Sequence, residues 1–194
     1  TELNKIKNIN NIFYSLCDKT SIETGLIFLN DNNHNYDLII LPYIKNSGIK
    51  KENEIENFKN SFKPNDKNFK KYWNINNNII NQINKVNFDW DLINIDYKAL
   101  NKIKLNNLYD IIIKEAIIMN KINSNANLVI FCNTEIIKYF LKKINNKRFK
   151  PDNNLKIYNS HCFEFTLDYT NNIIHEQKSI YPNHLSPSPL IKNG

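Results

Sequence analysis

At 194 residues, with 41% hydrophobic content, the chain is long enough for one domain with a sizeable core. Three cysteines, odd in number and without Cys-x-x-Cys spacing, exclude a disulfide framework and a cysteine zinc site, and favour buried thiols in a reducing intracellular compartment. The net charge of +7 admits a nucleic-acid or acidic-membrane partner, but Asn is about a fifth of the chain and Arg148 its only arginine, so A/T-rich codon usage explains the lysines without a function. No lysine cluster is expected to interleave with aromatics as a stacking surface does.

No apolar run reaches the roughly 18–20 residues that span a bilayer. The opening TELNKIKNIN has no signal-peptide core and no Met, which reads as a processed or trimmed start. No internal repeat is visible.

Along the chain, Ile12-Phe13-Tyr14 reads as a short strand. Thr20-Ser21-Ile22-Glu23 fits a capping box that opens a helix with Ile22, Leu26 and Leu29 on one face. Asp31–Tyr36 is a turn, and Asp37–Leu41 a second buried strand stopped by Pro42. From Gly48 to Lys85 the pattern is charged and Asn-rich. Sparse apolar positions (Ile55, Phe58 and Phe62, then Phe69 to Ile83) predict two helices over one end of the sheet, broken near Pro64. Within them Glu52, Glu54 and Glu56 alternate with lysines as a solvated face. Phe88-Asp89-Trp90-Asp91 reads as a turn pinning this segment to the sheet, with an interface anchor as the competing reading.

Leu105, Leu108, Ile112, Ala116 and Met119 form a helical stripe. The continuous apolar run Leu128–Phe131 then predicts a strand covered on both faces. It turns through Cys132, Asn133 and Thr134 into a helix marked by Ile136, Ile137, Phe140, Leu141 and Ile144. In parallel α/β sheets such a turn collects free N–H groups and the positive end of the helix dipole, and ligands bind there. Leu155–Tyr158, Cys162–Leu167 and Asn171–Glu176 predict closing strands, and the Pro-rich tail 181–194 excludes regular structure.

This alternation predicts an α/β fold: a three-layer sandwich, mostly parallel, with helices on both faces and a helical cap insertion at about 48–104. The whole of 1–180 reads as one domain.

Four segments, in order, resemble the histidine phosphatase (phosphoglycerate mutase-like) superfamily. IFYSLCDKTSIETG (Ile12–Gly25) is similar to its Ser-Ser-Pro-Leu-x-Arg-Ala-x-x-Thr-Ala segment, with Ser15 and Thr24 in register. IILPYIKNSG (Ile39–Gly48) resembles its Pro-x-Leu-x-Glu…Gly turn, and NLVIFCNTEIIK (Asn127–Lys138) its Val-Val-Ser-His-Gly-Gly-Val-Ile-Arg strand and turn. YNSHCFEFTL (Tyr158–Leu167) is similar to its closing strand.

The resemblance implies phosphoryl transfer through a histidine, with two arginines, a second histidine and a carboxylic acid. Planar arginine forks suit phosphate because they bond it bidentately, and neutralising transition-state charge dominates the rate. The Arg-His-Gly strand would precede Thr1. The family's second arginine falls on Thr20 beside Lys19, its acid on Asn46, and its second histidine on Asn133. An amide donates no proton in place of a carboxylic acid, and neither Thr nor Asn carries the missing positive charge. The resemblance thus implies no catalytic residue in this chain, and a phosphate pocket reduced to Ser15, Lys19, Asn133, Thr134 and His161.

Cys132-x5-Lys138 has the spacing of a cysteine-phosphatase loop, but it has no Gly, places Glu135 where phosphate would be repelled and ends in Lys rather than Arg, so a structural cysteine is the better reading. No carboxylate sits at metal-ligand spacing from the scattered histidines, and neither metal nor cofactor is expected.

Three functions follow. The leading one is a catalytically inactive phosphoglycerate mutase-like domain, kept as a structural or interaction module with protein partners in a larger assembly. The second is an active phosphatase or mutase whose Arg-His-Gly strand lies upstream of Thr1. The third is a basic RNA- or ribosome-associated subunit, with nucleic acid less favoured than protein.

Overall fold

The computed structural model describes residues 11–31, 36–45, 47–62, 73, 86–88, 96–124, 126–144, 162–168 and 173–180. The chain divides into two compact units, Thr1–Asn133 and Thr134–Gly194.

The first unit is built on four short parallel strands: β1 (Asn11–Ser15), β2 (Leu38–Ile40), β3 (Val86–Phe88) and β4 (Asn127–Phe131). Their order across the sheet is β3-β2-β1-β4. Parallel neighbours need crossovers, and helices supply them. α1 (Lys19–Asp31) links β1 to β2, and α2 (Glu52–Asn60) lies between β2 and β3. α3 (Tyr97–Lys102) and α4 (Leu105–Ile122) precede β4, which returns to the far side of β1. The α/β class and the parallel sheet are as the sequence predicts.

Alternation along the strands assigns the two faces. Phe13 pairs laterally with Leu38 and Val129, and Ser15 with Ile40 and Phe131, so these side chains share one face. α1 lies on that face with Ile22, Leu26 and Leu29 fully buried. Gly25 lets it come close: a Cβ there would stand 2.9 Å from a ring carbon of Phe131 and 3.1 Å from a Leu38 methyl. Tyr14 and Leu128 point to the opposite face, where they border a crevice with Ile112 and Glu115 of α4. Helices therefore cover both faces. The change of side follows because the chain reverses its direction of travel across the sheet between β3 and β4, while crossovers keep a right hand.

Several local expectations are corrected. The helix after β1 does not open with a capping box at Thr20. It opens at Lys19, because Asp18 is the cap: its carboxylate accepts from the Ser21 N–H at 3.0 Å and from Ser21 Oγ at 2.7 Å. The presumed insertion contains β3, a strand of the sheet itself. Its Phe88 is buried against Phe58 of α2 and against Phe62, with ring centroids 6.1 and 5.6 Å apart. Phe58 is buried in the same core as α1, as befits a crossover helix. The predicted cap is not confirmed; the second helix, Pro64 and the segment Asp89–Asp91 lie outside the described residues.

The same aromatic cluster holds Trp73, whose Nε1–H donates to the Ser61 carbonyl at 2.9 Å and to Ser61 Oγ at 3.0 Å. Lys59 Nζ lies 5.4 Å from the Phe88 ring centroid. The alternating Glu and Lys residues lie on a solvated face: Glu52 and Glu56 are exposed, and Glu54 accepts the backbone N–H groups of Lys50 and Lys51. These bonds hold the Glu54 carboxyl below the usual carboxylate range.

α4 follows its stripe, with Leu108, Ile112 and Met119 buried. β4 departs from expectation: Leu128 to Phe131 are only half-buried, since among the described residues β4 is a sheet edge with β1 as its neighbour.

The second unit contains α5 (Thr134–Ile144), β5 (Cys162–Asp168) and β6 (Ile173–Ile180). β5 and β6 form a separate antiparallel pair rather than closing the parallel sheet. The expected strand Leu155–Tyr158 and the tail 181–194 lie outside the described residues.

Candidate functional site

The strand order creates a switch point. The chain leaves β1 toward β2 on one side and returns as β4 on the other, so the loops after β1 and β4 diverge from adjacent strand ends. In open α/β sheets ligands bind in that crevice at the carboxyl edge. Here the ladder continues past the strands: the Leu16 N–H donates to the Phe131 carbonyl at 3.0 Å, and the Leu41 N–H to the Ser15 carbonyl at 2.8 Å.

Three loops gather at this edge, those following β1, β2 and β4. Cys17 shares a hydrogen bond with the Ser47 side chain, tying the first loop to the second. Ser47 Oγ also donates to the Ile44 carbonyl at 2.6 Å and accepts the Ile49 N–H at 3.0 Å. Between Ser47 and Ile49 stands Gly48, whose φ of +80° lies in the left-handed region that a side chain would strain. The loop is thereby folded back on itself.

The sequence-predicted residues fall as follows. Ser15 is fully buried, and its hydroxyl donates to the Leu16 carbonyl at 3.0 Å. Lys19 and Thr20 are exposed in the first turn of α1. Asn133 is half-buried directly after β4 and ends the first unit. Ser15, Lys19, Thr20 and Asn133 thus share the carboxyl edge at the β1/β4 switch point. Thr134 is exposed and opens α5 in the second unit. Asn46 and His161 lie outside the described residues.

Sequence reasoning missed Asp18. Its signal was present, an Asp three residues before a Ser at the head of an apolar stripe, but the neighbouring Thr-Ser-Ile-Glu box competed with it. The carboxylate sits where an incoming phosphate would meet the α1 N-terminus, and it already holds the Ser21 N–H, while the Asp18 carbonyl takes that of Ile22 at 3.1 Å. A phosphate within ~4 Å of this carboxylate would be opposed by about 4 kcal/mol per unit charge at an effective dielectric constant near 20.

The environment of the thiols at this edge disfavours the thiolate. Burial pushes Cys132 up from its ordinary 9.0 to about 12, and the Asp18 charge adds to the shift. The same two causes push Cys17 higher still. Both are free thiols, protonated at neutral pH. At the cysteine-phosphatase spacing, Cys132 is thus disfavoured as a thiolate.

The shallow crevice between sheet and α4, too narrow to enclose a water molecule, is lined by Tyr14, Leu41, Ile112, Glu115 and Leu128 and includes none of the predicted pocket residues. Among the described residues no three His, Cys, Asp or Glu side chains are placed to hold a metal ion. No described helix is long and apolar enough to cross a membrane.

Compared with family models, curated proteins and solved structures, the chain matches none. Its function rests on the chemistry of its own residues.

Proposed function

We propose that this chain is a degenerate histidine-phosphatase-like (phosphoglycerate mutase-like) domain, catalytically inactive and retained as a structural or interaction module in a larger assembly. The observation that carries this reading is the occupation of the switch point. Three of the segments resembling the family, those after β1, β2 and β4, supply the loops at one carboxyl edge. There the helix N-terminus is held by the Asp18 carboxylate, and Thr20 and Asn133 occupy the arginine and histidine positions.

Such an edge disfavours phosphoryl transfer twice over. Among the described residues it offers one exposed lysine, Lys19, and no arginine fork to neutralise transition-state charge, and it adds a negative charge beside the place phosphate would occupy. Removing one stabilising group of this kind commonly costs about 2.7–4 kcal/mol in the barrier. Two free thiols, Cys17 buried and Cys132 half-buried, fit a reducing intracellular compartment better than an oxidising one.

Incubating the purified chain with a generic aryl phosphate, with phosphohistidine detection in parallel, tests the proposal. No hydrolysis and no phosphorylated histidine are expected, and native mass spectrometry of the complex captured from cells should find a stable protein partner. Robust turnover sinks the reading, as does a chain that remains monomeric in its native extract.

A further inference from the structure

The positive charge of this chain is not spread evenly. Between Ile136 and Lys150 stand six Lys and Arg residues and no Asp or Glu, which leaves 20 basic against 19 acidic residues in all the rest. Codon drift toward lysine explains a general excess; it does not explain an excess gathered into one segment. Half of this cluster lies on α5, where Lys138, Lys142 and Lys143 are all exposed. Lys138 and Lys142 are four apart on one helix face, so their like charges repel and cost helix stability rather than adding to it. Lys142 and Lys143 do complement the dipole at the helix end, but that accounts for neither Lys138 nor the missing acids.

An aromatic ring lies within this basic face. Tyr139 is half-buried, and Lys143 Nζ stands 6.0 Å from its ring centroid. The expectation that no lysine cluster interleaves with aromatics therefore fails on this helix. The opposite face of α5 is already committed, because Ile136 and Leu141 are buried. A membrane-surface helix needs its apolar face free to enter the lipid boundary, and this one is not. What remains outward is a row of point charges with a ring beside it.

We propose that the exposed face of α5, formed by Lys138, Tyr139, Lys142 and Lys143, binds the phosphodiester backbone of a single-stranded nucleic acid without reading its sequence. Each lysine ammonium neutralises a phosphate as a point charge, lacking the planar fork that would read a base edge. The Tyr139 ring offers a sequence-tolerant platform for one base. This inference is independent of whether the sheet edge once handled phosphate.

The test is fluorescence anisotropy of the full chain with a labelled oligouridylate, titrated between about 50 and 200 mM salt. Binding should weaken steeply with salt. Lys138→Ala, Lys142→Ala and Lys143→Ala together should lower the slope of log affinity against log salt by about 2, at roughly 0.7 per lost phosphate contact. Tyr139→Ala should weaken binding about tenfold and leave the slope unchanged. Replacing the same three lysines by Gln, which keeps side-chain length and helix propensity, must reproduce the alanine result if charge is responsible. Equal affinity and slope for the wild type and both triple variants overturns the proposal. So does binding to phosphatidylserine vesicles with none to the oligonucleotide.

Discussion

Asp18 and Ser21 are bonded twice, carboxylate to backbone N–H and carboxylate to hydroxyl, at the point where β1 becomes α1. Both residues are buried, so the pair fixes the start of the helix and simultaneously puts a negative charge at the switch point of the sheet. One contact thus bears on stability and on the electrostatics of that edge.

Asp18→Ala should destabilise the protein by about 1–2 kcal/mol in urea unfolding, since it removes a cap and leaves the Ser21 hydroxyl without its carboxylate. Asp18→Ser, which still caps, should recover most of the loss. A wild-type midpoint for the alanine variant would show that the cap does not hold α1.

Gly25 is the closest approach of α1 to the sheet. Gly25→Ala gains about 1 kcal/mol of helix propensity but drives a methyl into Phe131 and Leu38, and overpacking of this kind costs about 1–3 kcal/mol. The net expectation is destabilisation, larger for Gly25→Val. A stabilised alanine variant in thermal melts would mean that α1 can move away freely.

Trp73 is tied to Ser61 through one indole N–H. Trp73→Phe keeps much of the ring packing with Phe58 and Phe62 but leaves the buried Ser61 groups without their donor, a loss of about 1–3 kcal/mol. Comparison with Trp73→Ala separates the hydrogen bond from the packing.

Cys132 should alkylate slowly in the native state at pH 8 and rapidly in denaturant. Its folded-state value near 12 lies above the ordinary 9.0, so between those limits the unfolded chain releases a proton that the folded chain keeps. Stability from this thiol is complete below pH 9 and declines as pH rises toward 12. Cys132→Ala should therefore flatten the alkaline limb of a plot of unfolding free energy against pH. An unchanged limb would show that the thiol is not protected.

α1, α2, α4 and α5 were legible because each is an amphipathic stripe, and a stripe is a local property; the six-residue α3 is too short to show one. Ile22, Leu26 and Leu29 declared α1, and Leu108, Ile112 and Met119 declared α4, before any neighbour was known. β1, β2 and β4 were legible as compact apolar runs beside turn residues. β3 was not: Val86-Asn87-Phe88 is too short for its alternation to stand out from an Asn-rich background. Its place in the sheet depends on parallel pairing with β2 and on Phe88 meeting Phe58, contacts between residues far apart in the chain.

By itself the sequence determined the residue types available for chemistry: one arginine, amides at the positions where the resemblance calls for histidine and acid, and a basic segment after Ile136. It also determined the α/β class, because hydrophobic period is written locally. Only the tertiary structure decided that β1 and β4 are neighbours, that Asp18 rather than Thr20 caps α1, and that β5 pairs with β6 instead of joining the parallel sheet. Those outcomes depend on which distant backbone groups and side chains meet, and hydrogen-bond partners and close approach belong to the folded chain, not to any short stretch of it.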